Sequence, residues 1–142
     1  MKISQKAGKE SKPEFEKELK KINKIIFKQD KFFYIAFLIL LNMAEDFTIE
    51  RKMVKKGIIS VLIKMLERND FQLLIIVLLF LKKLSIVGEN KNKMLEEKIV
   101  EKINRFFNSN NNILLQLSLE LLKNLCFDSL GRLRYHLKKT NF

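Results

Sequence analysis

The chain has 142 residues, with 28 Lys and Arg against 16 Asp and Glu, a net charge of +12, and 47% apolar residues. That apolar share supports a packed core and excludes a wholly disordered chain, and the length fits one domain. A single cysteine, Cys126, excludes a disulfide framework and fits a reducing compartment, while only four Gly and one Pro point away from turn-rich β folds and towards an all-helical protein.

Residues 1–13 are Lys-rich and polar and contain no apolar signal-peptide core, so they read as a basic flexible tail. A helix is predicted at about 14–28, with Phe15, Leu19, Ile22, Ile25 and Ile26 on its apolar side, and another at about 31–45. A short charged helix, 47–56, is stopped by Gly57, which suits a sharp corner. The next helix, 58–68, has apolar residues at 58, 62 and 65–66, the spacing of one buried face. Asn69-Asp70 breaks the pattern, and Asp70 can cap the helix 71–86, which is apolar nearly all round. Further helices are predicted at 89–97, 99–108, 112–126 and 129–138. The apolar runs Phe32 to Leu41 and Leu73 to Leu81 fall short of the roughly 18 residues of a membrane span, so they read as buried helices of a cytoplasmic or nuclear protein.

The chain repeats itself. Leu40-Leu41-Asn42-Met43, Leu81-Lys82-Lys83-Leu84 and Leu122-Lys123-Asn124-Leu125 are similar, and their central positions 42, 83 and 124 step by 41 residues. Phe37, Leu78 and Leu119 follow the same step, as do Met53 with Met94, Ile58 with Ile99, and Leu62 with Ile103. This period belongs to the helical arrays, in which armadillo and HEAT units run to about 40–47 residues. The order of short, amphipathic and buried helix, with Gly57 at the first corner, selects armadillo. The expected fold is an all-α, armadillo-repeat right-handed superhelix (an α-solenoid) over 14–142. It holds about two complete repeats, 47–86 and 89–126, and partial repeats at both ends. The array stops in mid-repeat without a polar cap. It therefore reads as a fragment, a truncated product or a docking module.

In such a stack the third helices line one concave face. Counting back by turns from the repeated position places Tyr34, Leu38 and Asn42, then Ile75, Leu79 and Lys83, then Gln116, Glu120 and Asn124 along a partner-binding groove. An Asn there can offer donor and acceptor to a partner's backbone amide. Alternatively, it serves its own backbone near a helix end.

Local words go further than the period. Leu40-Leu41-Asn42-Met43-Ala44-Glu45-Asp46 with Glu50-Arg51-Lys52-Met53 resembles the repeat region of the kinesin-associated protein family, the non-motor accessory subunits of heterotrimeric kinesin-II. So do Phe80-Leu81-Lys82-Lys83-Leu84-Ser85-Ile86, Glu89-Asn90-Lys91-Asn92-Lys93-Met94, Ile99-Val100-Glu101-Lys102, and Leu121-Leu122-Lys123-Asn124-Leu125-Cys126-Phe127-Asp128. The resemblance covers about 31–134. It implies a scaffold that binds the tails of the motor heavy chains and links the motor to cargo, intraflagellar transport material included, with a cytoplasmic, microtubule- and cilium-associated location. Family members are longer, and the loop Asn108-Ser109-Asn110-Asn111-Asn112 is more neutral than the resemblance leads one to expect.

Catalytic chemistry has no foothold. His136 stands alone, Cys126 reads as a structural thiol, and one Cys with one His cannot make a metal site of the usual type. Gly8, Gly57, Gly88 and Gly131 are isolated, so no phosphate loop exists, and the adjacent acids Glu45-Asp46 and Glu96-Glu97 point to different helix faces. The expectation is a non-enzyme without cofactor or small-molecule substrate. Basic clusters at Arg51, Lys52, Lys55, Lys56 and at Arg132, Arg134, Lys138, Lys139 offer a second reading, a generic armadillo adaptor holding another protein segment or an acidic or nucleic-acid partner. Nucleic acid is disfavoured because no aromatic interleaves these runs. Importin-like signal binding is disfavoured because the chain lacks Trp and is itself basic.

Overall fold

A computed structural model describes residues 3–127, with side chains from Pro13 onward. These residues form seven α-helices and no strand: α1 (Ile3–Met43), α2 (Phe47–Lys55), α3 (Ile58–Met65), α4 (Phe71–Leu84), α5 (Gly88–Glu96), α6 (Ile99–Phe107) and α7 (Asn112–Cys126). The helix expected at 129–138, with Arg132, Arg134, His136, Lys138 and Lys139, lies outside the described residues.

The 41-residue period is visible in the backbone. α5, α6 and α7 start 41 residues after α2, α3 and α4, at 88 against 47, 99 against 58, and 112 against 71. Local chemistry sets these starts. Asp70 and Asn111, one period apart, take extended backbone and accept hydrogen bonds from the first amides of α4 and α7. Asp46 caps α2 in the same way, whereas its counterpart Val87 offers no side-chain cap to α5. The corner between α2 and α3 is left-handed at Gly57 (φ 92°), and the equivalent corner is left-handed at Lys98 (φ 61°). A Cβ built on Gly57 would meet nothing within 4 Å, so backbone conformation rather than crowding favours glycine there.

The first helix departs from the sequence-based expectation. A tail to residue 13 and a break at 29–30 are expected, but α1 is one helix of 41 residues from Ile3 to Met43. One period before Asp70 stands Gln29, which lacks the short side-chain acceptor that turns the chain at Asp70 and Asn111. The expected tail carries four Lys, good helix formers, and α1 runs through it with Pro13 inside the helix.

Packing centres on α4, which contacts α1 on one side and α7 on the other, with α3 against α4 and α6 against α7. The core is one contiguous cluster containing Leu62, Leu66, Leu73, Leu78, Phe80, Leu81, Leu84, Ile99, Ile103 and Leu121. Burial of such side chains contributes about 1.5–3 kcal/mol each and dominates the stability. The step 37, 78, 119 does not give three equal environments. Phe37 and Leu78 are 4% and 0% exposed, but Leu119 is 49% exposed. The difference follows from the stack: α1 is covered by α4 and α4 by α7, while no described helix covers the far side of α7.

Candidate binding face on helices α1, α4 and α7

The three long helices lie side by side, and each carries three of the nine groove positions. On α1, Leu38 and Asn42 are exposed and Tyr34 is half-buried. On α4, Ile75, Leu79 and Lys83 are all half-buried. On α7, Gln116 is exposed and Glu120 and Asn124 are half-buried. The α1 and α4 positions therefore offer partly accessible apolar surface with one amide and one ammonium group.

The α7 positions are already engaged. Lys82 Nζ meets Glu120 Oε2 at 2.6 Å, and Gln116 donates to Glu120 Oε1 at 3.0 Å. The hydrogen bond from Lys82, and then that from Gln116, holds the Glu120 carboxyl below the usual carboxylate range. Asn124 donates through Nδ2 to the Lys82 carbonyl at 3.3 Å and to Ser85 Oγ at 3.0 Å, and Ser85 donates to the same carbonyl at 2.6 Å. Asn124 thus serves neither its own helix end nor an open groove. Its amide group ties α7 to the last turn of α4. Lys82 and Ser85, rather than Lys83, make this junction. Their separations from Glu120 and Asn124 are 38 to 42 residues, one repeat period to within a helical turn, which is the only signal in the sequence that could have found them.

Asn124→Ala is therefore expected to destabilise the fold by about 1–2 kcal/mol, because truncation removes two hydrogen bonds at a half-buried junction. Urea unfolding followed by circular dichroism measures this, and an unchanged midpoint would show that the junction contributes nothing.

A second concavity lies between α2 and the start of α5. Phe47, Glu50, Arg51, Val54, Val87 and Gly88 help to line a pocket of about 420 Å³. Arg51 lies over the Phe47 ring at 5.8 Å, and Glu50 is buried. Lys52, Lys55 and Lys56 beside it are exposed, so the basic cluster expected on this helix does face solvent.

Among the described residues no three His, Cys, Asp or Glu side chains gather as metal ligands, and no helix is long and apolar enough to cross a membrane. Cys126 is half-buried at the end of α7, and burial pushes its thiol above the ordinary range, away from the nucleophilic thiolate.

Residues 2–140 match the family described as kinesin-associated protein (KAP). The chain belongs to the kinesin-associated protein family. The match takes in every helix described above and runs past α7. No solved structure matches the chain. Membership in a family of kinesin accessory subunits makes a protein, kinesin, the expected class of partner and a non-catalytic role the expected activity.

Proposed function

We propose that the chain is an armadillo-repeat scaffold, a right-handed superhelix of about two complete repeats flanked by partial ones, that holds a tail segment of the kinesin-II motor heavy chains. Through it the motor is linked to cargo in cytoplasmic, microtubule- and cilium-associated transport. The observation that supports this most is the family match over 2–140, laid over helices that recur with a 41-residue step and set α1, α4 and α7 side by side. The binding residues in this reading are Tyr34, Leu38, Asn42, Ile75, Leu79 and Lys83, with Gln116 and Glu120 at the α7 edge. Asn124 supports them from behind through α4. Apolar anchors flanked by an amide and a cation suit an amphipathic tail segment, whose apolar face would cover Leu38, Ile75 and Leu79.

Titration of labelled heavy-chain tail peptides into the chain tests the reading. Leu38→Ala together with Leu79→Ala is expected to weaken binding at least about tenfold, the factor that 1.4 kcal/mol of lost contact gives, because two partly exposed anchors disappear. Tail peptides that bind the double variant as well as the unaltered chain would remove this face from the function.

One observation favours the second reading, a basic-surface adaptor. Arg51, Lys52, Lys55 and Lys56 project from α2 and form no ion pair among the described residues. Salt-sensitive retention of an acidic peptide or of RNA, lost on changing these four to Gln and unaffected at Leu38 and Leu79, would support it instead.

A further inference from the structure

Glu50 is only 7% exposed, yet its carboxylate takes part in no hydrogen bond or ion pair among the described residues. A buried carboxylate that no donor meets is costly, and native folds seldom keep one without a use. The group is not sealed off. Among the described residues the sealed side-chain polar atom without a hydrogen bond belongs to Arg68. Glu50 opens instead into the pocket between α2 and the start of α5, whose walls include Phe47, Val54 and Val87.

The repeat explains why Glu50 lacks a partner inside the described chain. One period later stands Lys91, which is buried to a similar degree. Its ammonium group donates to the Phe127 carbonyl at 3.1 Å and lies over the Phe127 ring. One period before Phe127 stands Ile86, next to Val87 in the pocket wall. A backbone carbonyl at that place satisfies an ammonium group but offers nothing to a carboxylate, which only accepts. By the period, the first layer sets acceptor against acceptor where the second sets donor against acceptor. The missing member is a cation.

The pocket has room to admit one. Its volume of about 420 Å³ falls in the range of ligand sites, roughly 300–1,000 Å³. A Cβ built on Gly88 would meet nothing within 4 Å, so the α5 wall is open. The apolar walls suit the methylene stem of an Arg or Lys side chain, whose charged head reaches Glu50. Val87 gives α5 no side-chain cap, so the first amides of that helix can donate to a backbone carbonyl of the same guest. The rim has the opposite sign on the α2 side, where Arg51 and Lys55 are exposed, while Glu89 stands on the α5 side. Acidic residues beside the guest's base would face Arg51 and Lys55.

We infer that this pocket binds a protein segment that carries a single Arg or Lys between acidic residues, the base entering to meet Glu50 and the acids lying over Arg51 and Lys55. The site is separate from the face of α1, α4 and α7 and does not rest on it. A polybasic segment would meet the exposed bases of α2, and an all-acidic segment or RNA would leave Glu50 unmatched.

Fluorescence anisotropy on the full chain, at about 150 mM salt, tests this with a labelled peptide in which one Arg lies between two pairs of Glu. Replacing that Arg by Gln is expected to weaken binding at least about tenfold. The sign is diagnostic, because the change makes the peptide more acidic, and attraction to the basic surface alone would strengthen binding. Glu50→Gln, nearly isosteric, is expected to weaken the Arg peptide at least about tenfold while the chain stays folded by circular dichroism. Glu50→Lys, which places a base as at Lys91, is expected to abolish binding. Leu38→Ala with Leu79→Ala is expected to leave it unchanged, which separates failure of this pocket from failure of the tail-binding face. An Arg peptide that does not bind, Arg and Gln peptides that bind alike, undiminished binding to Glu50→Gln, or a Glu50→Gln chain that no longer folds would each overturn the proposal.

Discussion

Leu78→Asp is expected to unfold the chain, whereas Leu119→Asp, one period later, is expected to leave it folded. Leu78 has no exposed surface and sits in the middle of α4, the helix that α1, α3 and α7 all pack against. Asp there removes a buried Leu and leaves a carboxyl group without a partner in an apolar core. Together these losses exceed about 4–5 kcal/mol, against a total stability of roughly 5–15 kcal/mol for a domain. Thermal denaturation followed by far-ultraviolet circular dichroism should show the cooperative transition lost or lowered by well over 10 °C, at roughly 3–5 °C per kcal/mol for this length. Leu119 is 49% exposed, so the same substitution there costs within about 1 kcal/mol. If both variants melted like the unaltered chain, or both collapsed, the placement of α4 between α1 and α7 would be wrong. A sequence repeat alone predicts equal effects at the two sites, so the contrast tests the packing and not the pattern.

The same packing explains how the layers are held in register. Apolar contact supplies most of the cohesion, but it is non-directional, and a helix can slide or rotate along an apolar neighbour at small cost. Polar ties between residues 35 to 39 positions apart fix the register. Lys82 with Glu120 and Asn124 with Ser85 lock α7 to α4. At the other edge Glu67 pairs with Lys102, and Arg105 donates to Asn69 and to the Arg68 carbonyl, locking α6 to the end of α3. Lys91 is buried, donates to the Phe127 carbonyl at 3.1 Å and lies over the Phe127 ring, which joins α5 to the end of α7.

Much of this organisation was legible in the residues, and the reasons for the remainder are specific. Period and helical character follow from apolar spacing, and the Asp70 cap and the Gly57 corner follow from local backbone chemistry that any neighbours would leave unchanged. The corner at Lys98 had no local signal and was placed by the period alone. A left-handed residue with a Cβ costs about 1–2 kcal/mol, little enough for Lys to stand where Gly would be expected. Continuity of α1 was hidden because a missing cap is a weaker signal than a present one, and Gln29 differs from an Asx residue by a single methylene. Among the groove positions, residue type showed which side chains could bind, but not which were already bound. Asn42 and Asn124 are identical in sequence terms, yet Asn124 is bonded to Lys82 and Ser85 of the neighbouring layer while Asn42 is exposed. Exposure of Leu119 depends on what lies beyond α7, which no pattern within α7 records.

Arg68→Ala is expected to cost roughly 3 kcal/mol, because it strands a buried carboxylate in the first helix. Asp30 is 8% exposed in its side chain, and Arg68 is 27% exposed. Arg68 Nε donates to Asp30 Oδ1 at 2.7 Å, Nη2 lies 2.7 Å from the same oxygen, and the guanidinium stands 5.9 Å from the Phe33 ring centroid. Removing one member of a fully buried pair costs about 3–5 kcal/mol, and the partial exposure of Arg68 sets the lower end of that range. Arg68→Lys keeps the charge but loses the planar fork and the stacking on Phe33, so it should recover only part of the loss. Asp30→Leu with Arg68→Met replaces the pair by apolar groups and should recover more, since an apolar pair of similar volume is often as stable as a buried ion pair. Urea midpoints of the single and double variants, combined as a double-mutant cycle, measure the coupling directly. A coupling near zero would mean that α1 is held to the array by apolar contacts such as those of Phe37 and Ala44 alone. A coupling of about 2 kcal/mol or more would identify Asp30, the residue just after the missing cap at Gln29, as the point where the long first helix is anchored to the array.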